Sequence, residues 1–264
     1  MKTSNFEKLG IKSSLLGFGC MRFPTLTNGN IDELEAEKMM DHAISNGVTY
    51  IDTAYPYHAG ESERFVGKVL KKYNRNQFTI ATKLPVWKVS KKEDVRDLFN
   101  EQLNKLQMDY IDFYLLHALD NERWESLLKL GVLDEVLDLQ KEGKIKYVGF
   151  SFHDEYPVFE KIITYRKWDF CQIQYNYVDT EIQAGDKGYH LADKLGIPLI
   201  IMEPIKGGNL ANLPEDISQI FKSYHPTKSL SSWALRWVAS HPNVKVILSG
   251  MSTMEHVKDN LDTF

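Results

Sequence analysis

Cysteine is nearly absent from this chain of 264 residues, with only Cys20 and Cys171 present. Two thiols supply neither a disulfide framework nor a four-ligand zinc site. No apolar run is long enough to span a bilayer, and Met1–Phe6 does not open a signal peptide. Charge of one sign is also scarce: the net charge is −4 and the isoelectric point about 6.1. That balance argues against nucleic acid and anionic membrane as partners. Low-complexity tracts are missing, and no shift of composition marks a second domain. The expectation is one cytoplasmic domain over residues 1–264, with the oligomeric state left open and a monomer favoured. What is present is ordinary for a globular protein, with 43% hydrophobic and 26% charged residues. The length is close to the ~250 residues of a single α/β barrel.

Apolar runs alternate with amphipathic stretches almost from end to end. Leu15–Gly19 reads as a first strand, Ile31–Asn46 as a helix and Val48–Ile51 as a strand. Glu61–Tyr73 carries Phe65, Val66, Val69 and Leu70 on one helical stripe. Phe78–Thr82 reads as a strand, Lys92–Leu106 as a helix and Tyr110–Leu116 as a strand. Glu122–Lys141 is helical with a break near Gly131, and Gly143 stops it. Lys146–Phe150, Phe170–Ile173, Ile197–Met202 and Val244–Leu248 read as the remaining strands. The helices between and after them are Glu155–Tyr165, Ala184–Leu195, Thr227–Ser240 and Thr253–Leu261. Alternation of this kind implies parallel strands joined by crossover helices. Eight such units predict an α/β fold of one kind, a closed (β/α)8 TIM barrel.

A barrel places its chemistry at the C-terminal ends of its strands. Asp52 ends the second strand, and Tyr57 follows on a loop stiffened by Pro56. Lys83 ends the third strand and His117 the fourth. Ser151 and His153 follow the fifth, Gln172 and Gln174 lie in the sixth, and Glu203 ends the seventh. Taken singly, each has a plainer reading: a turn aspartate, a solvated lysine, a rim histidine, a packed tyrosine. On a barrel, however, Asp, Tyr, Lys and His at consecutive strand ends meet at one mouth. Tyr55, Trp87 and Phe152 predict an aromatic substrate pocket there, shared with His117.

The chemistry of such a group is specific. A phenol with an unperturbed pKa of about 10 is a poor proton donor near neutrality. An adjacent ammonium favours the phenolate, and a carboxylate keeps that ammonium charged and oriented. An imidazole N–H polarises a carbonyl oxygen in the same space. No activated nucleophile for acyl transfer and no clustered metal ligands are apparent, which disfavours hydrolysis. Two other readings stay open: a cofactor-binding regulatory subunit with vestigial turnover, and an isomerase or lyase using Lys83 as a Schiff base.

The stretches Gly17–Pro24, Tyr50–Tyr57, Gly60–Glu63, Ala81–Lys83 and Leu106–His117 resemble those of the aldo-keto reductases. Gly149–Ser151, Gln172–Asn176 and Gly250–Asn260 extend the resemblance over nearly the whole chain. It implies a nicotinamide-dependent carbonyl reductase acting on a small aldehyde or ketone. By that resemblance Tyr57 donates the proton, Asp52 and Lys83 tune it, and His117 orients the carbonyl. Gly19, Cys20, Met21 and Asp52 would border the nicotinamide, and Ser151 and Gln172 would hold its carboxamide. Met202, Glu203, Pro204, Ile205 and Gly207 occupy the loop that covers ring and pyrophosphate, with Met202 where a tyrosine usually stacks. Gly250, Met251, Ser252, His256 and Asn260 match the adenine end, where relatives often carry Lys or Arg against a 2′-phosphate. NADP(H) is the expected cofactor and NAD(H) the alternative. The wording also resembles a microbial branch whose longer members often carry an iron–sulfur tail, and only two cysteines are present here. Without a counterpart of the closing C-terminal segment, the pocket is expected to be open.

Overall fold

A computed structural model describes all residues, Met1–Phe264. Eight parallel strands close into a barrel in chain order. They are β3 (Leu16–Gly19), β4 (Tyr50–Asp52), β5 (Thr79–Leu84), β6 (Ile111–Leu119), β7 (Ile145–Phe152), β8 (Phe170–Gln174), β9 (Leu199–Met202) and β10 (Val244–Gly250). The expected (β/α)8 architecture is therefore the observed one. No helix is long and apolar enough to cross a membrane.

Side-chain alternation along the strands divides the core into two shells. Phe113 and Leu115 of β6 point into the barrel, among Tyr50, Ala81, Phe170, Ile200 and Val246. Their neighbours Tyr114 and Leu116 point outward against the helices, as a period of two requires. The outer shell includes the stripe Phe65, Val66, Val69 and Leu70 of α2 (Ser62–Leu70). Between α2 and α3 (Asp94–Leu106) the approach is close: a Cβ at Gly67 would stand 2.5 Å from the Leu106 carbonyl oxygen.

Several boundaries differ from expectation. The helix expected at Glu122–Lys141 is two helices, α4 (Asn121–Lys129) and α5 (Val132–Lys141). They part at Gly131, which takes φ 68°, a conformation that glycine adopts without steric cost. Strand β7 runs on to Phe152, so Ser151 and Phe152 lie within it instead of beyond it. Two elements carried no clear signal. The hairpin of β1 (Thr3–Phe6) and β2 (Ile11–Ser14) precedes the barrel and inserts Phe6 among the inward-facing residues. Helix α8 (Glu215–Tyr224) leaves Ile217, Ile220 and Tyr224 exposed, so its apolar stripe does not face the core.

Candidate active site

The C-terminal ends of β4 and β5 bring Asp52 and Lys83 together inside the barrel mouth, both almost fully buried. Lys83 Nζ donates to Asp52 Oδ1 at 2.7 Å, to the Thr53 carbonyl at 2.9 Å and to Tyr57 Oη at 3.4 Å. All three ammonium protons thus have partners. Tyr57 is placed by a strained turn in which His58 and Ala59 both take left-handed backbone angles, φ 51° and 56°. His58 Nε2 accepts from the Phe23 N–H at 3.2 Å, tying this turn to the first loop.

His117 stands across the cavity from Tyr57, ring centroids 6.2 Å apart and nearly perpendicular. A register shift between Leu116 and Leu119 swells β6 at this point. Ala118 turns through φ 52°, and its N–H donates to Ser151 Oγ at 2.7 Å. His117 Nδ1 is buried and has no partner.

The electrostatics follow from burial and one cation. Burial works against the charge of Lys83, yet Asp52 and Tyr57 hold its ammonium above the usual range. Burial, followed by the nearby charges of Lys83, His153 and Arg123, drives His117 well below its ordinary value. For Tyr57, burial raises the phenol, Lys83 lowers it and Asp52 raises it, with a net rise. Lys83 does bring the phenol down, as expected, but burial outweighs it.

These groups line a cavity of about 510 Å³ that continues to the loops after β9 and β10. Gly19, Met21, Ser151, Gln172, Met202, Glu203, Pro204, Ile205 and Gly207 line it, as do Gly250, Ser252, His256 and Asn260. Gln172 Nε2 donates to Met202 Sδ at 3.4 Å, leaving its buried Oε1 without a partner. The loop after β9 passes through left-handed backbone at Glu203 and Lys206. It is anchored from behind by Lys206 Nζ on buried Asp179 and by Asn176 Nδ2 on the Glu203 carbonyl. Ser252 N–H donates to His256 Nδ1 at 3.3 Å, ahead of α10 (Met254–Thr263).

Four expected residues lie elsewhere. Cys20 and Met251 are fully buried and do not line the cavity. The Tyr55 hydroxyl donates to Glu101, 3.1 Å from both oxygens, and Lys105 Nζ sits 3.9 Å from its ring. Its polar tip is satisfied on α3, outside the mouth. Phe152 packs on Phe159 at 5.2 Å, on the outward face of β7, because alternation within the longer strand turns it away from Ser151. Of the aromatic trio only Trp87 stays at the mouth, 46% exposed and 5.1 Å from the His117 ring. His153, expected after the fifth strand, lines the cavity too, and several lining residues were not foreseen, Arg22, Asn212, Ser231 and Asp259 among them. Arg22 makes no ion pair, and its stem lies against Gly250. Its position inside the Gly17–Pro24 motif was the available signal.

Fold and site define the class: a (β/α)8 barrel with a buried Tyr–Lys–Asp–His group at its mouth. The chain belongs to the aldo/keto reductase family, whose model matches residues 15–264. It is 35% identical over 150 residues to "Probable aldo-keto reductase 1" of Glycine max, a match covering 54% of this chain and 42% of that protein. The chain thus spans under half the length of that relative. Among solved structures it resembles the holo form of aldo-keto reductase AKR11C1 from Bacillus halodurans, with a TM-score of 0.83 and 27% identity. That likeness covers all of this chain and 90% of the other. It also shares its fold with an aldo/keto reductase from Klebsiella pneumoniae in complex with NADP and acetate. There the TM-score is 0.82 at 21% identity, covering 99% and 89% of the two chains.

Proposed function

We propose that this protein reduces small aldehydes or ketones to alcohols with NADP(H). The observation that carries the reading is the Lys83 ammonium held between Asp52 and the Tyr57 hydroxyl, with His117 across the same cavity. The site also suits the cofactor. The unpaired Gln172 Oε1 can accept from a carboxamide N–H, and the Ser151 hydroxyl remains free to donate to its oxygen. Arg22 and the start of α10 offer positive potential to phosphates. The Klebsiella pneumoniae neighbour, alike in fold, is described with NADP. Both thiols are buried and free, as suits a cytoplasmic protein.

A nicotinamide held by Ser151 and Gln172 would supply the hydride. Neutral His117 donates an N–H to the carbonyl oxygen and fixes its direction. Tyr57 passes its phenolic proton to that oxygen as negative charge develops there. Lys83 stabilises the phenolate left behind, and Asp52 holds Lys83 charged and in place. A lysine so fully protonated and bonded is a poor Schiff-base nucleophile, which weighs against a lyase. Tyr57→Phe tests the reading: NADPH affinity should hold while turnover falls by about 10²–10⁴-fold, the usual share of general acid catalysis. Turnover within two-fold of the parent would overturn the assignment of the donor.

A further inference from the structure

Behind Lys83, on the side away from the cavity, lies a buried polar cluster with no part in the chemistry above. Glu63, the second residue of α2, is fully buried. Its Oε1 accepts from Thr82 Oγ1 and from Gln102 Nε2, each at 2.6 Å. The same Gln102 nitrogen donates to the Lys83 carbonyl at 3.0 Å. Tyr114 donates its hydroxyl to Gln102 Oε1 at 2.7 Å, which sets the direction of the amide. The preceding residue, Ser62, grips the other end of the lysine. It accepts from Thr53 Oγ1 at 2.9 Å and donates to the Cys20 carbonyl at 3.1 Å, and the Thr53 carbonyl takes Lys83 Nζ.

From this arrangement we infer that Glu63, acting through Gln102, is a positioning residue that sets the reach of Lys83 toward Tyr57. The inference rests on the proton-donor role proposed for Tyr57. Three observations support it. A buried carboxyl group bonded only by neutral donors gives up solvation without gaining a counter-charge. Lys105, the cation whose charge reaches Glu63, is already paired with Glu101 at 2.7 Å. Glu63 bonds strand residue Thr82 directly and reaches the Lys83 carbonyl through Gln102, and the placement of Lys83 determines the 3.4 Å contact between Nζ and Tyr57. Burial raises the Glu63 carboxyl, with the hydrogen bonds from Thr82 and Gln102 and the charge of Lys105 opposing.

The test compares Glu63→Gln with Glu63→Ala in the full chain. Glu63→Gln keeps the acceptor and should retain turnover within two-fold of the parent. Glu63→Ala should lower kcat by about ten-fold or more, since displacing a catalytic group by ~1 Å costs up to ~10². Its KM and NADPH affinity should change little, and its solvent deuterium isotope effect on kcat should rise as proton transfer becomes limiting. Equal loss in both variants would mean that the charge matters, and would overturn the inference. So would a loss in Glu63→Ala with an unmoved isotope effect. Should Glu63→Ala fail to fold, Gln102→Met removes the donor to the Lys83 carbonyl and must show the same signature. A parent that binds NADPH but reduces nothing would fail the proposed function alone. The Lys83 ammonium NMR signal, identified by its loss in Lys83→Met, would then decide: moved in Glu63→Ala and unmoved in Glu63→Gln supports the positioning role. An unmoved signal in both overturns it.

Discussion

His117 has no partner on its buried Nδ1, and burial, with the Lys83 and Arg123 cations nearby, holds it neutral. That neutrality has a thermodynamic signature. In the unfolded chain the imidazole titrates near pH 6.5, whereas in the folded protein it titrates well below that value. Above pH 6.5 neither state takes up the proton, and the contribution to stability is complete. As the pH falls below 6.5 the unfolded chain binds the proton first. Stability is then lost at up to about 1.4 kcal/mol per pH unit for one such site. His58 and His153 are shifted the same way by burial. The melting temperature should therefore fall between pH 7 and pH 5, and His117→Gln should flatten the decline. An unchanged slope in His117→Gln would place the responsible group elsewhere.

At the scale of elements, helix α2 is the piece on which the mouth depends. Its first turn carries Ser62 and Glu63 behind Lys83, and its position is set by how closely it meets α3. Gly67 makes that contact. In an exposed helix, glycine to alanine gains about 1 kcal/mol. Here the new Cβ would meet the Leu106 backbone at 2.5–2.7 Å, so α2 must move. Gly67→Ala should lower the urea midpoint despite the better helix former, because overpacking costs ~1–3 kcal/mol. Turnover should drop with it as Ser62 and Glu63 shift. A midpoint at or above the parent's would show that the helices part without cost.

Over the whole molecule, the cavity joins segments far apart in sequence, and cofactor recognition belongs to that scale. No basic clamp follows β10, but Arg22, delivered by the first loop, lies between Gly250 and Gly207. Residues that face both loops suit the pyrophosphate, which NADPH and NADH share. Arg22→Ala should thus weaken both cofactors by a similar factor. A lost charge-assisted bond of ~1.5–3 kcal/mol corresponds to roughly ten-fold or more. Fluorescence titration with each cofactor measures this. Weakening confined to NADPH would move Arg22 to the 2′-phosphate and refute the placement.

How much of this was legible in the sequence depended on whether the signal was local. The eight strand–helix units were readable because hydrophobic periodicity is written in consecutive residues, and the motifs around Asp52, Tyr57, Lys83 and His117 are contiguous. The placement of those four at one mouth followed from barrel geometry alone. Tertiary structure decided the rest. Tyr55 turned to Glu101, and Phe152 turned outward when β7 ran two residues past its expected end. A one-residue question of alternation is settled by pairing with neighbouring strands and not by composition. Arg22 and the Glu63–Gln102 cluster gain their meaning from partners many residues away. The net rise of the Tyr57 phenol likewise depends on burial, and burial is a property only of the folded chain.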